Sequence, residues 1–152
     1  MQLDDKQEHK IDGSGLKISI ILPYFNESLG LELMENAREE LLNQGVKEEN
    51  IKLHRVAGSL ELPYACQKVI KSENPDSIIA LAVIIRGETT HYELVTETTH
   101  QGLMKVQLKH ETPISFGLLA CENLKQAEER VSKKGLNKGK DAAIAALIQT
   151  QL

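Results

Sequence analysis

Apolar residues recur along the chain in two rhythms. Short segments rich in aliphatic and β-branched residues fall at 17–22, 51–56, 77–85 and 113–119. Lacking polar alternation, these runs read as strands covered on both faces, with SIIALAVII at 77–85 suited to the centre of a sheet. Between them the spacing turns helical. Residues 28–44 put Leu33, Met34, Ala37, Leu41 and Leu42 on one face, with Ser28 placed to cap and Gly45 to stop the helix. Further helices are expected over 61–71, with Pro63 in the first turn, from Thr89 or Thr90 to 108, over 122–133, and over 140–151 beyond the GLNKG break.

Strands that alternate with helices imply a parallel sheet with right-handed crossovers. The expected fold is α/β: a three-layer αβα sandwich around a four-stranded parallel sheet, flavodoxin-like in arrangement. Residues 1–16 are polar and without a sustained period, so they read as an N-terminal arm, leaving 17–152 as one domain. A chain of 152 residues is long enough to bury one substantial core.

Composition narrows the function. A net charge of −4 disfavours a nucleic-acid binder, though it leaves room for a local anion site. No apolar run reaches the roughly 20 residues that cross a bilayer, and the start of the chain has no apolar signal core, so no membrane partner and a cytoplasmic location are expected. Cys66 and Cys121 are far apart and lack CxxC spacing, so they read as buried structural thiols in a reducing compartment.

In an open α/β sheet, ligands gather at the carboxyl ends of the strands. Four segments are expected to converge there: Tyr24-Phe25-Asn26, Gly58-Ser59-Leu60-Glu61, Arg86 to His91, and Phe116 onward. The third, within RGETTHYELV, carries the most chemistry. Gly87 lets a ligand approach the backbone, and the amides of Glu88 to Thr90 lie at a helix N-terminus, which attracts phosphate. His91 follows as a group suited to proton transfer near neutral pH. The same residues also fit a plain helix start, with Thr89 as its cap and His91 in solvent; their spacing alone does not choose. His54, His100 and His110 lack metal-ligand spacing and read as surface or packing residues, while His9 lies in the arm. Arg130 reads as a solvated helix residue, and Lys133, Lys134, Lys138 and Lys140 as a solvated junction. No GxSxG, P-loop or GxGxxG occurs.

The motifs YFNE, GSLELP, VIIRGETTHYELV, FGLLACENLKQAEER and NKG occur in that order between residues 17 and 152. In that order they resemble the lumazine synthase family of riboflavin biosynthesis. The resemblance implies condensation of 5-amino-6-(D-ribitylamino)uracil with 3,4-dihydroxy-2-butanone 4-phosphate, giving 6,7-dimethyl-8-ribityllumazine, phosphate and water, with no metal or redox cofactor. It implies that Phe25 stacks on the pyrimidine and that Ser59, Leu60 and Glu61 contact it, Glu61 near the ribityl hydroxyls. Val83, Ile84 and Ile85 would supply main-chain hydrogen bonds and Phe116 would close the pocket. Glu88, Thr89 and Arg130 would hold the phosphate, and His91 would move protons. Phe116 and Arg130 would act from a neighbouring subunit.

The family commonly has Phe at Leu60, Arg at Tyr24, Pro at Thr90, and Thr at Ala120 and Cys121, so the resemblance implies altered affinity with the main site residues kept. Family members form pentamers, some of which assemble into sixty-subunit shells. With no insertion over 130–139 and no proline before Pro23, the shell is favoured here, and residues 4–18 are expected to add a strand to a neighbour's sheet. Riboflavin synthase is the implied protein partner. The alternative is a non-catalytic lumazine or flavin carrier, or a shell protein, of the same fold.

Overall fold

The computed structural model describes residues 9–152. Its four strands are β1 (Ile18–Pro23), β2 (Ile51–Val56), β3 (Ser77–Ile85) and β4 (Ile114–Cys121), all parallel and ordered β2-β1-β3-β4. Five helices connect or follow them: α1 (Glu27–Asn43), α2 (Leu62–Glu73), α3 (His91–His110), α4 (Leu124–Val131) and α5 (Lys138–Gln149). Single 3₁₀ turns occupy Glu48–Asn50 and Ser59–Glu61.

Successive side chains of a strand point to opposite faces, and both faces of β1 and β3 are covered, whereas β2, at the sheet edge, has no buried residue and departs from the expected two-sided cover. Ile18, Ile20 and Leu22 of β1, with Ile79, Leu81 and Val83 of β3, pack against Leu33, Ala37 and Leu41 of α1, Val131 of α4, and Ala143 and Leu147 of α5. On the other face Ile21, Ile78, Ala80, Ala82 and Ile84 meet Leu62, Cys66 and Val69 of α2, and Leu103 and Val106 of α3. The expected αβα sandwich follows, as does the absence of polar alternation in β1 and β3. Cys66 and Cys121 are both buried, as expected, and burial pushes the Cys66 thiol up to about 12. Among the described residues no helix is long and apolar enough to cross a membrane.

Three helix starts differ from expectation, each because an asparagine takes the boundary. Asn26 adopts the left-handed conformation and α1 begins directly after it, so Ser28 lies inside the first turn and does not cap. Helix α4 begins after Asn123, whose side chain accepts from the Gln126 amide at 2.9 Å, rather than at Glu122. Helix α5 begins two residues early, after left-handed Asn137. Gly139 is therefore helical, and its missing side chain is what the packing needs: a Cβ there would lie 2.2 Å from the Leu33 carbonyl oxygen of α1.

Part of the expected arm strand lies outside the described residues. The described part of the arm, 9–16, forms no strand and rests on its own chain. The Ile11 amide donates to Gln44 Oε1, the Gly13 amide to the Gln44 carbonyl, and Gln44 Nε2 to the His9 carbonyl.

Candidate active site

The sheet opens where its order reverses. β1 last pairs with β3 at Ile21 and Ala80, while β3 continues to Ile85 in register with β4 alone. Beyond Ala80, the side of β3 that faces β1 has no strand partner. Backbone groups left in this way need another acceptor or donor, and such a switch point is where ligands bind in this kind of sheet.

A cleft of about 350 Å³ occupies the place. Phe25 and Asn26 line it from the end of β1, Gly58 to Glu61 from the end of β2, and Val83, Ile84 and Ile85 from β3, with Gly87, Thr89 and His91 beside them. Phe25 is 74% exposed, so its ring stands free on the rim, where a flat heterocycle can stack. Leu60 offers an apolar wall with no ring. The Glu61 carboxylate folds toward Gly58, where a Cβ would stand 3.0 Å from Oε2.

Asn26 was expected at the site only as part of the Tyr24-Phe25-Asn26 segment, with no role of its own; Tyr92 and Val95, which also line the cleft, were not expected there. Asn26 Nδ2 donates to the Val83 carbonyl at 2.7 Å, across the gap between β1 and β3. The available signal was an asparagine between a strand end and a helix start, since asparagine tolerates positive φ better than most residues. The bond also occupies one lone pair of Val83, a residue expected to serve a ligand.

Residues 87–90 form the expected turn. Among the described residues, the amides of Gly87 to Thr90 donate to no acceptor within the chain. They lie at the start of α3, a 20-residue helix whose N-terminus carries roughly half a positive charge. Of the two threonines, Thr90 holds the N-cap position but makes no capping bond with its side chain, while Thr89 Oγ1 just before it accepts from the His91 amide at 3.3 Å. His91 is the first helical residue, exposed and lining the cleft. Glu88 is exposed within the turn but does not line the cleft.

Arg86, at the entrance to the turn, is already paired with two carboxylates. It donates to Glu122 through Nε at 2.7 Å and Nη2 at 3.3 Å, and to Glu93 through Nη1, with its guanidinium 4.2 Å above the Tyr92 ring. Hydrogen bonding to Arg86 holds the Glu93 carboxyl below its ordinary range.

Phe116 and Arg130 lie elsewhere. Both line a second cleft, of about 250 Å³, between β4 and α4–α5. Phe116 was expected to open the segment at the carboxyl end of a strand over 113–119. It is instead the third residue of β4, opposite Ala80, because β4 runs on to Cys121. Its ring meets the His100 ring edge-on, with centroids 5.9 Å apart. Arg130 donates through Nη1 to the Gln126 carbonyl one turn earlier. Within one chain, then, the expected site residues from the ends of β1, β2 and β3, with Thr89 and His91, share one cleft, and Phe116 and Arg130 share another.

The other histidines have local partners. His54 pairs with Glu73, His100 with the Thr96 carbonyl, and His110 with Gln67. Tyr24 lies under the Arg55 guanidinium at 4.1 Å. Ala120 lines the second cleft and Cys121 is buried beside it.

A family model described as 6,7-dimethyl-8-ribityllumazine synthase matches residues 15–152. A protein of that name from Desulfovibrio desulfuricans is 38% identical over 141 residues, which cover 93% of this chain and 90% of the relative. Another of that name, from Chlorobium limicola, is 38% identical over 145 residues, covering 95% of this chain and 94% of the relative. The match takes in both clefts and every element that shapes them. The chain belongs to the 6,7-dimethyl-8-ribityllumazine synthase family, transferases of riboflavin biosynthesis.

Proposed function

We propose that the cleft between the ends of β1 and β3 is where this chain condenses 5-amino-6-(D-ribitylamino)uracil with 3,4-dihydroxy-2-butanone 4-phosphate, giving 6,7-dimethyl-8-ribityllumazine, phosphate and water. The observation that carries this assignment is the meeting, in one cleft, of an exposed aromatic ring, a β3 edge with no neighbouring strand and an amide-lined helix N-terminus. Each suits one part of the pair of substrates. Phe25 stacks on the pyrimidine, with Ser59, Leu60 and Glu61 beside it and Glu61 toward the ribityl hydroxyls. The main chain of Val83, Ile84 and Ile85 pairs with the ring's amide edge. Glu88 and Thr89 hold the phosphate in the turn.

The 5-amino group attacks the ketone, and the carbinolamine loses water to become an imine. Phosphate leaves, and the remaining side chain tautomerises. The ribitylamino nitrogen then attacks its carbonyl, and a second loss of water closes the ring. His91 moves protons in these steps. Holding both molecules in reacting geometry contributes most, about 7–11 kcal/mol where alignment is good.

Phe116 and Arg130 complete the site from a neighbouring subunit, which the separation of the two clefts within one chain supports. Arg130 then pairs with the phosphate, as a guanidinium fork suits. A homopentamer satisfies this arrangement, with sixty subunits as the assembly expected from the uninterrupted 130–139 segment. Light scattering tests it, and a pentamer-sized particle at micromolar concentration rules out the shell. A reducing cytoplasm suits two buried thiols, and riboflavin synthase is the partner that would consume the product.

The deciding assay mixes the protein with both substrates and follows the fluorescent lumazine. Formation above the uncatalysed rate supports the enzyme. Lumazine binding without turnover would instead make the protein a carrier, a reading that full-length similarity to two proteins named as synthases does not favour.

A further inference from the structure

An arginine at the entrance to a phosphate-binding turn would ordinarily be the first ligand assigned to the phosphate. The structure gives Arg86 different work. We infer that Arg86 is a positioning residue that sets the shape of the turn at 87–90 from its two ends and does not itself bind the phosphate. The inference rests on the reading of that turn as the phosphate site.

The turn has little else to hold it. Among the described residues its amides donate to no acceptor, and a Cβ on Gly87 would meet nothing within 4 Å. Its shape therefore depends on how its flanks are fixed. Arg86 fixes the first flank, because its amide donates to the Cys121 carbonyl at 2.9 Å and so extends the β3–β4 ladder by one bond. Its side chain fixes the other. Glu93, in the first turn of α3, accepts from Nη1, and Tyr92 lies flat beneath the guanidinium. Nε and Nη2 reach Glu122, whose own amide donates to Gln126 Oε1 at 2.8 Å and so ties it to α4. One side chain thus joins the end of β3, the start of α3 and the entry to α4.

The charge count agrees. One guanidinium faces two carboxylates, so the cluster carries no surplus positive charge for an incoming dianion. Glu93 Oε2 is buried without a partner among the described residues, so the neutralisation of that carboxylate depends on Arg86. The attraction for phosphate is left to the turn amides and the helix N-terminus.

Glu122→Gln, Arg86→Lys and Arg86→Met separate the two roles, with the Michaelis constants for both substrates, the inhibition constant of inorganic phosphate and the melting temperature as readouts. A positioning role predicts that all three variants weaken the phosphorylated substrate and inorganic phosphate in the same direction, by roughly fivefold or more. The KM for the pyrimidine stays unchanged. Lysine fails to rescue because it keeps the charge but loses the fork and the stacked face. Two results would overturn the inference: Glu122→Gln binding phosphate as well as or better than the parent, or Arg86→Lys matching the parent. Gly87→Val, which fills the space over the turn, is the control for the underlying reading. If it leaves both phosphate constants unchanged, the turn is not the phosphate site and the inference falls with it.

Discussion

Asn26 Nδ2 and the Val83 carbonyl oxygen are 2.7 Å apart, and this bond spans the point where β1 and β3 separate. Asn26 holds it from a backbone at φ 55°, where its amide can reach back across the gap while α1 departs directly after it. The rim that carries Phe25 is thereby tied to the strand edge that faces the cleft. Asn26→Ala is expected to destabilise the fold by roughly 2 kcal/mol, combining a lost hydrogen bond with a left-handed backbone unsuited to alanine. Asn26→Gly relieves the backbone term and loses about half as much. Denaturant unfolding gives both values, and equal losses for the two variants would remove the backbone contribution.

His91 lines the cleft from the first residue of α3. Because positioning carries most of the proposed catalysis, His91→Ala is expected to slow turnover by about 10²-fold without abolishing it, near the low end for a general acid–base group. Single-turnover kinetics on the folded variant measure this. Complete loss of activity would reverse the weighting of proximity against proton transfer.

Arg130→Ala is expected to raise the KM for the phosphorylated substrate and leave that for the pyrimidine unchanged. Because Arg130 and His91 line different clefts of one chain, subunits with Arg130→Ala mixed with subunits carrying His91→Ala are expected to regain intact sites. Activity after co-refolding should then exceed the mean of the two parents. Activity equal to that mean would mean that each site is built from a single chain.

The Arg86–Glu93 pair makes stability depend on acid. Hydrogen bonding to Arg86 lowers the Glu93 pKa in the folded protein, so the contribution is complete above the unfolded value of about 4.3 and is lost as pH falls through the folded value. Melting temperature measured from neutral pH down to about 3 should fall less steeply for Glu93→Gln than for the parent. Parallel curves would show that the pair contributes nothing.

Gly139 lets α5 lie against α1, where a Cβ would come within 2.2 Å of the Leu33 carbonyl oxygen and 2.9 Å of Asn36 Cβ. Backbone cannot yield as a flexible side chain does. Gly139→Ala should therefore destabilise by about 1–3 kcal/mol despite the better helix propensity of alanine. A thermal melt at or above the parent value would show that the helices can part without loss.

The layers of the fold and the family motifs were legible in the amino-acid sequence. β3 begins and ends where its apolar run does, since nine nearly all-apolar residues at Ser77–Ile85 can be buried only with both faces covered. The helix starts were less legible, because a left-handed asparagine such as Asn26 or Asn137 has no periodic signature and competes with nearby serines and lysines. The turn from Gly87 to His91 was legible because a helix N-terminus is local. Long-range pairing decided the rest. Glu122 lies 36 residues beyond Arg86, and only folding brings it close enough to engage that guanidinium. Strand order sets β4 at the edge, two places from β1, and so separates Phe116 and Arg130 from the cleft that Phe25 and His91 share. Residue spacing along a chain carries no information about which strand becomes the edge; that follows from how the crossovers bury both faces of the sheet.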